Sequence, residues 1–328
     1  MKNRNLIVQF VLIVFACFNQ TVFAQQTPKT FLQQTQYLLS LPDGYESDTT
    51  KKWPLLIFLH GSGERGTDIE KVKTHGPPKL IAGGKRFPFI VVSPQAVLPY
   101  SWEPENLFHL LNFIKENYQV DRDKIYLTGL SMGGFGTWAF ALKYPNEFAA
   151  IVPICGGGDT TELWKLRHMP IHCFHGALDH SVPVVRSEEM VAAVRKYNNN
   201  VQFTVYPDLD HNSWERTYNN DSLYDWLLNQ SKFRYTEIPM DSMKLKSFTG
   251  KFASSERDTI TIQFVNNELK GTIGKRPYSL KPSTEDQFFI REDLPLDMQF
   301  SRSKKGKIIS FMLYGSRRLF YRKLQDMN

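Results

Sequence analysis

The chain has 328 residues, enough for one large or two modest domains. Hydrophobic residues make up 41% and charged residues 22%, a balance typical of a packed globular protein, which excludes wholesale disorder. The net charge of +7 is unevenly spread: residues 25–233 carry 20 basic and 22 acidic side chains, whereas residues 234–328 carry 18 basic and 11 acidic. The positive excess therefore lies in the C-terminal part.

The first 24 residues have the pattern of a cleavable secretory signal peptide. Lys2 and Arg4 give a positive start, an apolar run extends from Leu6 to Phe18, and Ala24 offers a small residue for cleavage. The run is about 13 residues long, too short to span a hydrocarbon core of about 30 Å. We therefore expect a secreted or periplasmic protein without a stable membrane span. An uncleaved anchor and lipid attachment at Cys17 are the alternatives.

Between residues 53 and 230, short apolar runs alternate with segments of helical periodicity. The predicted strands cover residues 53–59, 89–92, 124–128, 149–154, 171–174 and 201–206. The predicted helices cover residues 106–118, 133–144, 186–197 and 221–229. This alternation predicts an α/β fold, a mostly parallel sheet with helices on both faces. In such sheets the functional side chains gather in loops at the carboxyl ends of the strands.

The pattern changes after about residue 233. Helical periodicity ends, and short apolar runs with turn residues between them follow at 259–265, 269–273, 287–291, 297–301, 308–314 and 317–322. We predict a small antiparallel β domain over residues 234–328, after a catalytic domain over residues 25–233. Its basic charge could attract acidic polysaccharide, nucleic acid or a lipid surface, although a solvated face is the simpler interpretation. We predict no nucleic-acid partner.

A G-x-S-x-G motif spans Gly129 to Gly133, between a predicted strand and a predicted helix. A serine on such a sharp strand-to-helix turn has a strained backbone, and its hydroxyl projects above the edge of the sheet. Glycines two positions before and after it leave room for tight packing. This context predicts that Ser131 is a nucleophile.

A nucleophilic serine needs a base, and the base needs a group that orients it. Asp179 and His211 each follow a predicted strand, and the chain order Ser131, Asp179, His211 is the order expected of α/β-hydrolases. We therefore predict His211 as the base and Asp179 as the acid. The other candidates for the acid are Asp159, Asp208 and Asp210.

An attacked ester carbonyl becomes an oxyanion and needs N–H donors already in position. The first predicted donor is the backbone N–H of Met132, the residue after the predicted nucleophile. The glycine-rich loop His60–Gly66 follows an earlier strand, so we assign the second donor to the N–H of Ser62, with Gly61 and Gly63 as alternatives. The loop lacks the Lys-Ser/Thr ending of a phosphate-binding loop, so no nucleotide site is predicted. The chemistry requires no metal or organic cofactor.

Trp102 follows the predicted strand at 89–92, on the side where the cleft is expected. Its ring could stack on a sugar or on a phenolic acyl group, so we predict that it contacts substrate. Packing in the core is the alternative.

Two cysteines, Cys155 and Cys173, remain once the predicted leader is removed. Export would expose them to an oxidising compartment, where a disulfide could form. Both lie in apolar runs that predict buried strands, so two free core thiols are the expected state.

Five short motifs occur together in the chain: HGSGERG (60–66), SPQ (93–95), TGLSMGG (128–134), FHGALDHSVP (174–183) and DHNSW (210–214). In combination they resemble secreted bacterial α/β-hydrolases of the predicted-peptidase or phospholipase/carboxylesterase-like family. They are also similar to the acetylxylan and feruloyl esterases of carbohydrate esterase family 1. The resemblance covers about residues 35–230 and implies the α/β-hydrolase fold with Ser131, Asp179 and His211 as catalytic triad. The C-terminal part weakly resembles β-rich accessory domains of other secreted serine hydrolases.

We therefore predict a serine carboxylic ester hydrolase that removes acetyl or feruloyl groups from polysaccharide through an acyl-enzyme. Its partner is a small-molecule or polysaccharide ester. A serine peptidase of the prolyl-oligopeptidase kind is one alternative, and a non-catalytic binding protein with the same fold is another. The sequence makes no prediction of the oligomeric state.

Overall fold

The computed structural model describes residues 35–99, 101–256, 258–273, 276–292 and 296–324. The predicted signal peptide and Cys17 lie outside these residues. Among the helices of the described ranges, none is both long enough and apolar enough to cross a membrane.

A seven-stranded sheet forms the centre of the N-terminal part of the described chain, in the order β1-β3-β2-β4-β5-β6-β7. Its strands are β1 (Tyr37–Ser40), β2 (Trp53–Leu59), β3 (Ile90–Pro94), β4 (Val120–Leu130), β5 (Ala150–Ile154), β6 (Ile171–Gly176) and β7 (Val201–Tyr206). Strand β1 is antiparallel to β3, and the other neighbours are parallel. The predicted mostly parallel sheet is confirmed. The sequence missed β1, a four-residue edge strand whose side chains are all half-buried.

Helices cover both faces of this sheet. They are α1 (Gly76–Ala82), α2 (Pro104–Asn117), α3 (Met132–Lys143), α4 (Val185–Val194), α5 (Trp214–Tyr218) and α6 (Asp221–Leu228). Helices α2, α3 and α4 pack on one face, and α1, α5 and α6 on the other. Strand β2 is continuously apolar because both of its faces are buried. Leu55 and Ile57 point into the core on the α2–α4 side of the sheet, and Leu56 and Phe58 point into the core on the α1, α5 and α6 side.

The C-terminal part is a closed antiparallel barrel, in the strand order β10-β11-β12-β13-β14-β15-β8-β9. A short helix, α7 (Ser242–Ser247), precedes it. Its strands are β8 (Gly250–Ser254), β9 (Thr259–Val265), β10 (Glu268–Ile273), β11 (Arg276–Pro282), β12 (Gln287–Phe289), β13 (Asp297–Arg302), β14 (Ile308–Tyr314) and β15 (Arg318–Lys323). The predicted antiparallel β domain is confirmed, but strands β8 and β11 and the closure of the barrel were not predicted.

A buried ion pair joins the barrel to the α/β part. Nη2 of Arg167 lies 2.7 Å from Oδ2 of Asp297 at the start of β13, and Asp297 is fully buried. Burial alone would raise the pKa of Asp297, but His168, Arg167 and Tyr235 hold it below its usual value. The described residues from Thr35 onward form one compact unit, so the domain boundary after residue 233 stays a prediction.

Candidate active site

Ser131 lies on the turn between β4 and α3, with φ 52° and ψ −118°. A positive φ is unfavourable for a residue with a side chain, and it persists here because the surrounding structure fixes the turn. The N–H of Ser131 donates to the carbonyl of Ile154 at the end of β5 (3.0 Å). The turn therefore has the geometry that the G-x-S-x-G motif predicted.

Three glycines allow this turn to pack between neighbouring strands. A Cβ on Gly133 would lie 1.9 Å from the carbonyl oxygen of Leu59, and a Cβ on Gly129 would lie 2.3 Å from the carbonyl oxygen of Gly133. A Cβ on Gly134 would lie 2.3 Å from the carbonyl oxygen of Ile154. Because all three close contacts are with backbone, no side chain can fit at these positions without moving the main chain of a neighbouring strand or of α3.

The structure brings Ser131, Asp179 and His211 together in one hydrogen-bonded line. Nε2 of His211 lies 2.9 Å from Oγ of Ser131, and Nδ1 of His211 lies 2.7 Å from Oδ2 of Asp179. An ionised carboxylate can only accept, so the ring carries a proton on Nδ1 and leaves Nε2 free to accept the serine proton. This geometry is the one expected of a serine nucleophile with its base and acid, and the catalytic roles of the three residues stay a prediction.

Asp179 is buried (5% exposed) and well supplied with donors. Its Oδ1 accepts the N–H groups of Ser181 (2.9 Å) and Val182 (2.8 Å). Burial alone would raise the pKa of Asp179, but the hydrogen bonds from His211, Val182 and Ser181 outweigh it and hold the pKa below its usual value. The carboxylate is therefore ionised at neutral pH.

The alternative acids are exposed and engaged elsewhere. Asp208 forms an ion pair with Arg216 (2.7 Å). Asp210 accepts the N–H of Asn212 (3.2 Å), and Asp159 accepts a backbone N–H within its own turn. The geometry therefore favours Asp179 as the acid that faces His211.

Cys155, His175 and Asp179 each place one potential metal-ligand atom within 4.8 Å of the others. A thiolate is the form of cysteine that binds metal, and burial raises the pKa of the Cys155 thiol to about 12. The Sγ of Cys155 lies 2.8 Å from Oγ of Ser213, and His175 is hydrogen-bonded through both ring nitrogens. Cys155 and His175 are therefore better explained as hydrogen-bonded residues packed behind Asp179 than as metal ligands. Cys155 and Cys173 are both free and buried, as expected from the sequence.

His60 orients the peptide group between Gly61 and Ser62. The N–H of Ala96 donates to Nε2 of His60 (3.0 Å), so the neutral ring carries its proton on Nδ1, which donates to the carbonyl of Gly61 (2.6 Å). In a trans peptide the C=O and the following N–H point in opposite directions, so the N–H of Ser62 is directed away from His60. Burial lowers the pKa of His60 to about 4 and so keeps this ring neutral.

The loop that contains Ser62 lies against the turn between β4 and α3 that holds Ser131. A Cβ on Gly61 would lie 2.9 Å from Cδ1 of Leu130, the residue before Ser131. Met132 is the first residue of α3, and the first N–H groups of a helix have no partner within the helix. Both predicted oxyanion donors, Ser62 and Met132, therefore belong to segments beside Ser131, and their role as donors stays a prediction.

The burial of Trp102 corrects its predicted contact with substrate. The side chain is 7% exposed, and its Nε1 donates to the carbonyl of His60 (3.0 Å). Its ring packs edge-on against the His60 ring and fills the space beside Gly136. Trp102 therefore supports the loop from within the core, which was the alternative interpretation.

Glu64 is a neighbour of the site that the sequence analysis did not assign to it, and Trp214 is an aromatic neighbour three residues after His211. Glu64 is a carboxylate with 7% exposure, 3.8 Å from Nδ1 of His60 and 3.9 Å from Nε2 of His75. Trp214 meets the rings of His211 and His75 edge-on. A charged residue inside a glycine-rich loop was the available signal for Glu64.

Comparisons with known proteins agree with this fold. Residues 103–226 match the model of the Dienelactone hydrolase family. A crystal structure of a thermostable esterase is 31% identical, with a TM-score of 0.52, over 60% of this chain and 59% of that chain. A bifunctional acetylxylan esterase/xylanase of Neocallimastix patriciarum is 26% identical over 181 residues, and poly(3-hydroxyalkanoate) depolymerase C of Paucimonas lemoignei is 27% identical over 165 residues.

These alignments cover parts of each protein. They span 53% of this chain and 26% of the acetylxylan esterase/xylanase, and 44% of this chain and 37% of the depolymerase. The family match falls on the segment that runs from the start of α2 to α6 and contains Ser131, Asp179 and His211. Residues 103–226 are thus similar to the Dienelactone hydrolase family, and the seven-stranded sheet has the α/β-hydrolase fold.

Proposed function

We propose that this protein is a secreted serine carboxylesterase that removes acetyl or feruloyl groups from polysaccharide. The observation that carries the proposal is the unbroken hydrogen-bonded line from Asp179 through His211 to Ser131, with Ser131 on a strained turn. The similarity to an acetylxylan esterase supports an ester of a polysaccharide as substrate. The signal-peptide pattern in the first 24 residues supports export.

In the first half of the reaction, Oγ of Ser131 attacks the ester carbonyl carbon while Nε2 of His211 takes the serine proton. Asp179 stabilises the resulting imidazolium through Nδ1. The carbonyl oxygen becomes an oxyanion, which accepts from the N–H groups of Met132 and Ser62. When the C–O bond to the sugar breaks, His211 returns the proton to the departing alkoxide, and an acyl-enzyme remains on Ser131.

In the second half, water replaces the alcohol. His211 removes a proton from the water, and the hydroxide attacks the acyl-enzyme through a second oxyanion. The bond to Oγ of Ser131 breaks, His211 protonates Oγ, and the free acid leaves. The cycle consumes one water for each ester cleaved and returns every side chain to its starting protonation state.

Replacement of Ser131 by alanine tests the nucleophile. Hydrolysis of p-nitrophenyl acetate should fall by about 10⁴-fold or more, with the fold retained, because the acyl-enzyme cannot form. Asp179→Asn should cause a loss of similar order, whereas Asp208→Asn, on a surface pair, should stay within about twofold. Full turnover in the Ser131→Ala variant would disprove the assignment.

A substrate panel tests the class of ester. Acetylated xylan, methyl ferulate, a poly(3-hydroxyalkanoate) film and proline-containing peptides are each offered at matched enzyme concentration. Release of acetate or ferulate, with little peptide cleavage, is the expected result. Cleavage confined to the peptides would replace the esterase proposal with the peptidase, and cleavage confined to the film would change the substrate to a polyester.

A further inference from the structure

A groove of about 980 Å³ lies on the outer side of strands β14 and β15, beside the turn between β13 and β14. Phe320 and Arg322 point outward from β15, whereas Tyr321 between them is buried in the barrel core. The groove is formed by barrel residues together with Ser247 of α7, and none of its described lining residues takes part in the proposed catalytic site. The barrel therefore has a concave surface that the esterase chemistry does not use.

The groove exposes large apolar side chains. Phe320 is 47% exposed, Ile309 45% and Leu324 43%. The outer face of a closed barrel in water is normally polar, because its strands alternate between core and solvent. Exposed apolar side chains that share one groove with charged neighbours indicate an interaction surface rather than scattered surface residues.

The charge of the groove is uniformly positive. Lys305, Lys307, Arg322 and Lys323 line it, and its described lining residues include no carboxylate. Several other cations of the C-terminal part are paired with acids, as in Lys244–Glu285, Arg302–Asp286 and Arg317–Glu256. Within the described chain, Lys305, Lys307 and Arg322 form no ion pair. Their uncompensated charge contributes to the positive excess of residues 234–328.

We infer that this groove binds an acidic polysaccharide, a linear chain that carries uronic acid carboxylates. The apolar face of a pyranose ring packs on an aromatic ring such as Phe320, and the carboxylates pair with Lys305, Lys307 and Arg322. A concave groove fits a chain, whereas a flat bilayer surface requires apolar side chains that protrude. The use of this groove to hold polymeric substrate for Ser131 rests on the proposed function, but the binding itself does not.

Binding is measured by isothermal titration of the full chain with polygalacturonate, with neutral arabinoxylan as the uncharged comparison. The wild-type chain should bind polygalacturonate, and the affinity should fall as NaCl is raised from 50 to 500 mM, because salt screens exposed charges. A Lys305→Gln/Lys307→Gln/Arg322→Gln variant should bind at least about tenfold more weakly. Lys270→Gln, which changes a cation on β10, is the matched control and should bind as the wild type does.

The apolar contribution is tested by Phe320→Ala, which should weaken binding about fivefold or more, with Val265→Ala as control at another exposed apolar site of the barrel. Every variant should keep the wild-type turnover of p-nitrophenyl acetate and the wild-type unfolding temperature. Equal affinity for the neutral polymer, an unaffected triple variant, or binding confined to phosphatidylglycerol vesicles would overturn the inference. A chain that binds polygalacturonate but cleaves no ester would refute the proposed function alone.

Discussion

Replacement of His60 by glutamine should slow acyl transfer while leaving the fold intact. His60 makes two hydrogen bonds, from the N–H of Ala96 to Nε2 and from Nδ1 to the carbonyl of Gly61. The side-chain oxygen of glutamine can reach the position of Nε2 and accept from Ala96, but glutamine has no donor near the position of Nδ1. The substitution therefore releases the Gly61–Ser62 peptide and the orientation of the Ser62 N–H.

The size of the effect follows from the bond that is lost. One net hydrogen bond contributes about 1 kcal/mol, so its loss lowers the ratio of correctly oriented to misoriented peptide by about fivefold. Complete loss of an oxyanion donor typically lowers kcat by 10²- to 10³-fold, which sets the upper limit. We expect kcat for p-nitrophenyl acetate to fall by about 5- to 10²-fold with little change in KM, because the N–H acts mainly on the transition state.

His60→Asn is the matched control. The amide nitrogen of asparagine lies near the position of Nδ1 and can still donate to Gly61, while the bond from Ala96 is lost. Both variants lose one buried hydrogen bond, so both should be destabilised by about 1–3 kcal/mol in urea unfolding. Equal kcat values in the two variants, or an effect of His60→Gln confined to KM, would contradict an orienting role for His60.

Three further predictions concern stability. Gly133→Ala should destabilise the fold by about 3 kcal/mol or more in urea unfolding, because its Cβ would overlap the carbonyl of Leu59, whereas Gly63→Ala, with open space around it, should be within about 0.5 kcal/mol of wild type. Arg167→Leu should cost about 3–5 kcal/mol, because it leaves the buried carboxylate of Asp297 without its cation, and an unchanged unfolding midpoint would contradict this. The pKa of His60 is about 4 in the folded chain and about 6.5 when unfolded, so the unfolded state binds the extra proton and stability should fall by about 3 kcal/mol as the pH drops from 6.5 to 4. His60→Asn should flatten that part of the urea-midpoint profile, and an equally steep profile in the variant would assign the dependence to other groups.

The turn that holds Ser131 is the part of the candidate site that local sequence determines most completely. Glycines at positions 129 and 133 around Ser131, with an apolar strand before and a helical pattern after, specify a sharp turn whatever the rest of the chain does. Asp179 and His211 could be predicted as partners of Ser131 because each follows a strand, and parallel strands all end at the same edge of a sheet. Their hydrogen-bonded geometry needed the structure.

Trp102 and the barrel show where sequence reasoning reached its limit. Whether the Trp102 ring faces solvent or core depends on its packing against Gly136 of α3, which is distant in sequence. Barrel closure depends on β8 pairing with both β9 and β15, and an alternating pattern specifies a strand but not its partner.

The sequence by itself determined the local elements, the α/β alternation, the change to antiparallel strands and the three residues that could perform acyl transfer. Those properties depend on side-chain periodicity and on turn residues that act over a few positions. The tertiary structure decided which side chains are buried, the direction of the peptide beside His60, the Arg167–Asp297 pair and the basic groove on the barrel. Each of these joins residues that are distant in the chain, or depends on the orientation of one peptide plane, and no local pattern encodes either.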